Sequence, residues 1–326
     1  ARLDRKAPNY GANNYNDFNT FYLQAASGSS GGSSGSPVVD VHGNVIALNA
    51  GSNRKAASSF FLPLDRMVHA LDRIQRGKPV ERGTIHTTFV HKTFDEAARF
   101  GLTPQSEADV RRFDPEATGV LVVERVLVEG AADGHLMPGD VLLKIDGKRV
   151  GEFVPLEALL DANIGADMLF EVERGNQRIE KAVRVADLED VTPDEFLEVG
   201  NSVFHEYSYQ MARHHRVPAK GIFVANLGYM LGNKLRFGSV ITQVDGKPVD
   251  DMEAFASALE TIADKQAFSV RSFSPNRPQQ VKTTVVYMDR KWFPAQRCMR
   301  QDGVRWWACE SLSEPPNQTV SPISAR

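Results

Sequence analysis

The segment from Gly139 to Val150, GDVLLKIDGKRV, returns 99 residues later as Gly238 to Val249, GSVITQVDGKPV. Each copy is preceded by an apolar run that follows a glycine, Gly119-Val120-Leu121-Val122-Val123 in one and Gly221-Ile222-Phe223-Val224-Ala225 in the other. Each is followed by a helix-like stretch, Pro155 to Ala162 and Met252 to Ile262, and then by a further strand, Leu169 to Glu173 and Ala267 to Ser272. A period near 100 residues is too long for a solenoid unit, so the chain is expected to hold two copies of one module.

Upstream of the repeat, Gly28 to Gly51 reads GSSGGSSGSPVVDVHGNVIALNAG. A Ser/Gly run breaks straight into two strand-like segments, Pro37 to Val41 and Asn44 to Leu48, joined by His42-Gly43. Such a composition also reads as a flexible linker, but a linker needs no hairpin beside it. A serine that attacks an amide carbonyl sits on a tight exposed turn whose N–H groups bind the developing oxyanion, and glycines let the chain reach that conformation. Gly32 to Pro37, GSSGSP, resembles the nucleophile loop of trypsin-like proteases. On that resemblance Ser34 is the nucleophile and the N–H groups of Gly32 and Ser34 are the oxyanion donors. Ser33 and Ser36 depart from the pattern.

Together with Gln24-Ala25-Ala26-Ser27, the run Ala47 to Ser52 and Phe60-Phe61-Leu62-Pro63-Leu64, this loop is similar to the tandem-repeat branch of the HtrA/Deg serine proteases. That branch includes fungal nuclear pro-apoptotic proteases and plant relatives, which carry the same two departures. The resemblance implies that residues 1–77 are the C-terminal part of a trypsin-like double β-barrel. A helix would close it, with Leu64, Val68, Leu71 and Ile74 at helical spacing and Gly77 as its stop. The specificity pocket would lie between Ala26 to Ser30 and Leu48 to Gly51; neither stretch holds an acid, so a small or apolar side chain is expected before the scissile bond. A trypsin-like triad runs His, Asp, Ser along the chain, yet no histidine precedes Ser34. Asp4 and Asp17 read as solvated carboxylates, and His42 and His69 as surface residues. The chain therefore reads as a fragment that begins inside the second barrel, in which Ser34 alone is a weak nucleophile.

The repeated modules, and above all Ala131 to Asp140, AADGHLMPGD, resemble PDZ domains. These take an extended peptide as an added strand, hold its terminal carboxylate in a backbone loop and read its side chains from a helix face. By resemblance the loop of the first copy is Arg82, Gly83, Thr84, Ile85 and His86, leading into Thr88-Phe89-Val90. His86 stands where relatives carry glycine, and reads equally as a strand residue facing solvent. The second copy opens on Ser202 to Tyr209, lacks the Arg-Gly pair and reads as a spacer, with Tyr207 and Tyr209 as packing residues. The expected fold is thus mainly β with α+β modules: the barrel part over 1–77, a PDZ domain over 82–188 and a second, divergent one over 189–290. An aromatic segment with Trp292-Phe293 and Trp306-Trp307 follows over 291–326, with a disordered linker from Ser311.

Composition narrows the function. Thirty-eight basic and 41 acidic residues give a net charge of −3, which is no footprint for nucleic acid or an anionic membrane. No apolar run approaches the roughly 18 residues of a membrane helix. Two cysteines, Cys298 and Cys309, suit a reducing compartment and read as free thiols, and no metal or cofactor is implied. The expected activity is that of a serine endopeptidase acting on proteins or peptides, with PDZ modules that engage C-terminal peptides, this fragment being inactive by itself. The full-length protein would be a homo-oligomer inside the cell, with nuclear residence resting on resemblance alone. The alternative is a non-catalytic PDZ scaffold built on a protease remnant.

Overall fold

The computed structural model describes residues 2–6, 19–26, 28, 32–53, 58–293, 295–301 and 307–312. They form two compact units, Ala1–Asp190 and Val191–Arg326.

The first unit opens on five strands, β1 (Arg2–Lys6), β2 (Phe21–Ala25), β3 (Pro37–Val39), β4 (Val45–Asn53) and β5 (Ser58–Pro63), joined in the order β1-β2-β5-β4-β3. Helix α1 (Asp65–Gln75) follows. Its apolar stripe is present at the expected spacing, but Val68, Leu71 and Ile74 are exposed, and nothing among the described residues covers them.

The same unit continues through β6 (Gly83–Thr84), β7 (Thr87–Thr93), α2 (Phe94–Ala98), α3 (Pro104–Phe113), β8 (Gly119–Val126), β9 (Val141–Ile145), β10 (Lys148–Arg149), α4 (Phe153–Ala162), β11 (Asp167–Arg174), β12 (Gln177–Arg184) and β13 (Ala186–Asp187). The sheet order is β12-β11-β9-β8-β7, with β10 on β9 and a separate β6-β13 ladder. The unbroken apolar run at the start of β8 has a physical cause: both of its faces are covered. Leu121 and Val123 join Ile85, Leu142, Leu156 and Phe170 in one cluster, while Val120 and Val122 join Phe94 and Val110 of α2 and α3 in another. Helix α3 starts on Thr103, whose side chain accepts from Ser106 N, with Pro104 at the first helical position. The buried Glu173 carboxylate fastens that start to β11 by accepting from Thr103 N, Thr103 Oγ1 and Ser106 Oγ.

The second unit runs β14 (Glu195–Val199), β15 (Ser202–Glu206), α5 (Tyr209–Ala212), β16 (Ile222–Asn226), α6 (Gly228–Leu231), β17 (Val240–Val244), β18 (Lys247–Pro248), α7 (Met252–Glu260), β19 (Ala267–Ser274), β20 (Arg277–Tyr287), β21 (Gln296–Arg300) and β22 (Trp307–Ser311). Its sheet order is β20-β19-β17-β16-β15-β14-β21-β22, with β18 on β17. From β15 to β20 this repeats the path from β7 to β12 strand for strand. The shared DG pair does the same work in both copies. Asp146 and Gly147 (φ 48° and 74°) and Asp245 and Gly246 (φ 46° and 76°) make the two-residue turn that needs positive φ at both positions. The Asp146 carboxylate then accepts from Leu169 N at 2.8 Å, as Asp245 accepts from Ser269 N at 2.6 Å, locking each turn to the next strand.

Beyond the repeat, β21 and β22 extend the sheet, and their register sets Cys298 directly opposite Cys309. The two are joined in a disulfide with Cα atoms 4.0 Å apart, so the expectation of free thiols is corrected. Phe293 lies 5.5 Å from the Tyr229 ring and Trp307 4.9 Å from Phe196, while Trp292 is exposed. Tyr207 and Tyr209 are both buried. Leu312 packs against the core of the unit. Trp306 and 313–326, which hold most of the expected linker, lie outside the described residues.

Asp140 is 1% exposed and takes both Arg174 Nε and Nη2 at 2.7 Å, with Met137 N on the second oxygen. Arg174 keeps 31% of its side chain exposed and can turn to water, so Asp140→Ala loses the charge-assisted hydrogen bonds without stranding a buried charge and is expected to cost about 2 kcal/mol. The urea midpoint at constant m-value measures it, and a loss under about 1 kcal/mol means that the pair does not hold the unit together.

Candidate functional site

Ser33 to Ser36 form a tight turn in which Ser36 N donates to Ser33 O at 3.2 Å. Gly35 has φ +82°, the value that a type II turn demands at its third residue, and Gly32 has φ +96°. A Cβ at either position meets nothing within 4 Å, so backbone conformation, not space, calls for glycine. Ser34 occupies the exposed second position. The turn is clamped to β4 by Asn49, a buried residue that sequence reasoning did not single out. Gly35 N donates to Asn49 O at 2.7 Å, Asn49 N donates to Ser36 O at 2.9 Å, and Asn49 Nδ2 reaches both Ser33 O and Ser33 Oγ at 2.9 Å. A polar side chain between Leu48 and Ala50 in an apolar strand was the available signal.

Among the described residues, neither Gly32 nor Ser34 gives its N–H to another group, and no histidine or carboxylate is bonded to Ser34. His42 and His69 are exposed. Asp17, Ser27, Ser29 and Ser30, the last three part of the expected specificity pocket, lie outside the described residues. No group of three or more His, Cys, Asp or Glu among the described residues is arranged to hold a metal ion.

The second candidate region is the loop from Arg82 to His86, and it is tied to its surroundings at each residue. Arg82 donates to Glu157 at 2.5 Å and to Asp161 at 3.1 Å, both on α4. Burial opposes the Arg82 charge, but the two carboxylates outweigh it and hold the guanidinium above its ordinary pKa. Gly83 N donates to Asp161 at 2.8 Å, and a Cβ on Gly83 would stand 2.1 Å from Leu160 O, so only glycine lets β6 lie against α4. Thr84 Oγ1 accepts from His86 N, and Ile85 sits in the core.

His86 does not face solvent. It is buried, holds φ +55°, and its Nδ1 accepts from Ala131 N at 3.0 Å. Accepting at Nδ1 places the ring proton on Nε2 and requires a neutral imidazole. Burial pushes its pKa below the ordinary value, with the Asp190 charge acting the other way.

From this loop the chain enters β7, the edge strand of its sheet. Asn19, another residue that sequence reasoning did not single out, meets that edge: its Nδ2 donates to Thr87 O at 3.0 Å, and Phe89 N donates to its Oδ1 at 2.7 Å. Asn19, Thr20 and Phe21 form one wall of a cavity of about 120 Å³ whose other wall includes Phe153, Glu157 and Asp161 of α4. In the second unit the edge of the corresponding strand, β15, is taken from Ser202 to Phe204. β14 pairs with it through Leu197↔Phe204 and Val199↔Ser202 and is itself paired with β21.

The chain is similar to known proteins in three ways. Residues 190–265 match the family model described as a PDZ-like domain. The whole chain is 44% identical over 331 residues to a protein of Neosartorya fischeri named pro-apoptotic serine protease nma111, covering 32% of it. It is 40% identical over 330 residues to the protein of that name from Candida glabrata, covering 34% of it. The chain thus spans about a third of the length of these relatives. Among solved structures it is similar to an HtrA-type protease, AlgW, with a tripeptide, at 24% identity and a TM-score of 0.36 over 57% of this chain and 58% of that one.

The buried neutral His86 sets a pH dependence. Its folded pKa lies below the unfolded value of about 6.5, so its share of stability is complete above that pH and is lost as pH falls through 6.5 toward the lower folded value. Asn tolerates positive φ. Between pH 7.5 and 5.0, wild type is therefore expected to lose more stability in urea than His86→Asn does; equal losses would show that His86 titrates without linkage to folding.

Proposed function

With the chain homologous from end to end to fungal pro-apoptotic serine proteases, we propose that it is the nucleophile-bearing part of an HtrA-type serine endopeptidase with peptide-binding PDZ-like modules. The observation that carries the reading is Ser34, presented on a glycine turn with the Gly32 and Ser34 amides unspent among the described residues. In the reaction Ser34 Oγ bonds to the scissile carbonyl carbon and passes its proton to a base, which returns it to the leaving amine. Water then releases the acyl group by the same route. The two amides would receive the oxyanion. The relatives are about three times as long as this chain, which leaves room outside it for the base and its orienting carboxylate.

Peptide binding is assigned to the first module, between β7 and α4. The loop from Arg82 to His86 shapes the carboxylate end, with Arg82 and Gly83 bracing it on α4 while the β7 edge receives the main chain. The second module is given a structural role, because β14 already fills the equivalent edge. Assembly of several copies and residence in the nucleus are extended to this protein from the same kinship. No helix among the described residues is long and apolar enough to cross a membrane.

One observation favours a second reading, that of a non-catalytic peptide-binding scaffold: no described histidine is bonded to Ser34. A fluorophosphonate probe separates the two. In the protein made from its complete gene, wild type is expected to be labelled at least about 10³-fold faster than the Ser34→Ala variant, with the 326-residue chain unlabelled. Peptides with Val or Leu before the scissile bond are expected to be cut faster than those with Lys or Arg. A complete protein that binds peptides but never labels is the scaffold.

A further inference from the structure

Asn19 is 6% exposed and adopts φ +49°, a left-handed conformation that asparagine bears better than most residues. The conformation turns its carboxamide onto β7 from some 70 positions away in the chain, where it receives one N–H and gives another. A side-chain amide that donates to Thr87 O and accepts from Phe89 N occupies two edge groups that the N–H and C=O groups of an added strand would otherwise meet. Two residues on, Phe21 packs against the core cluster that contains Ile85, Phe89 and Leu156, as an apolar side chain of such a strand would. The far wall of the adjoining cavity is α4, the helix face expected to read a ligand's side chains.

We propose that Asn19-Thr20-Phe21 is a built-in stand-in for a peptide: it holds the strand-addition slot of the first module, and a ligand enters by displacing Asn19 from Thr87 and Phe89. The proposal rests on the assignment of the β7–α4 groove as a peptide site. The ligand it selects is an extended chain end with free main-chain N–H and C=O groups and an apolar side chain to replace Phe21. Its apparent affinity is the intrinsic affinity reduced by the fraction of molecules in which Asn19 has left the edge. Leaving the edge gives up two hydrogen bonds and the packing of Phe21, so that fraction is small. The contrast with β14 is one of degree: a single carboxamide yields to a competitor, whereas a paired strand does not.

The test uses the 326-residue chain and a fluorescent pool of decapeptides ending in free Val, Leu or Phe, with the C-terminally amidated pool as control. Asn19→Ala is expected to bind the free-carboxylate pool about ten-fold more tightly than wild type. Hydrogen exchange at the Phe89 amide gives a second readout. It should be slow in wild type, fast in Asn19→Ala, and slow again once the peptide is bound. Equal or weaker binding by Asn19→Ala, with its thermal midpoint within a few degrees of wild type, overturns the stand-in and leaves the peptide site standing. If Asn19→Ala unfolds, peptide-induced loss of the Asn19 side-chain amide resonances from their wild-type positions decides instead, and their persistence with peptide bound overturns the proposal. Binding of neither pool by either variant overturns the groove assignment itself.

Discussion

Backbone N–H and C=O groups at the edge of a sheet have to find partners, because leaving them unmet in a buried place costs about as much as a lost hydrogen bond. Both repeated modules set such an edge beside a helix, and much of what distinguishes them follows from how they meet that demand. In the first, β7 is covered at two groups by the side chain of Asn19. In the second, β15 is covered from Ser202 to Phe204 by β14, which brings β21 and β22 with it and enlarges the sheet. One sequence pattern therefore yields two surfaces, one open to exchange and one closed.

What the sequence makes legible is what is local. The DG turns, the glycines at the starts of β8 and β16, and the helices after β10 and β18 all arise from short-range chemistry, and they lie where periodicity and turn rules place them. The four-residue apolar run of β8 was readable as a strand, although not as one buried on both faces, since α2 and α3 show only weak signals of their own. Long-range matters stayed hidden. Nothing near Asn19 announces Thr87, and nothing near Cys298 states that a hairpin will bring Cys309 opposite it. His86 misleads in a characteristic way: a non-glycine residue at positive φ reads as an ordinary strand residue until its ring is seen bonded to Ala131 N.

The serine turn shows the same division. Its glycines and its exposed hydroxyl could be read directly, because a nucleophile on a sharp turn has few alternatives in residue type. Its rigidity could not, because that comes from Asn49 in a strand 13 residues beyond Ser36. A single carboxamide that binds both the carbonyl and the hydroxyl of Ser33 fixes the turn from below and leaves the upper side, with Ser34, clear. Reactive loops gain from such bracing, since a misplacement of about 1 Å can cost two orders of magnitude in rate.

The hairpin that closes the second module has a consequence for competition. β14 is joined to β15 by only Gly200 and Asn201, both at positive φ (57° and 60°), and α6 packs so closely on that turn that a Cβ at Gly228 would stand 1.8 Å from Asn201 O. A strand on so short a tether is presented to its partner at an effective concentration of about millimolar or above. A diffusing peptide at micromolar levels starts roughly a thousand-fold behind before any contact is compared. The second module can thus lose every ligand-selecting side chain without losing its occupant, which frees its surface residues to diverge while the sheet they rest on stays the same.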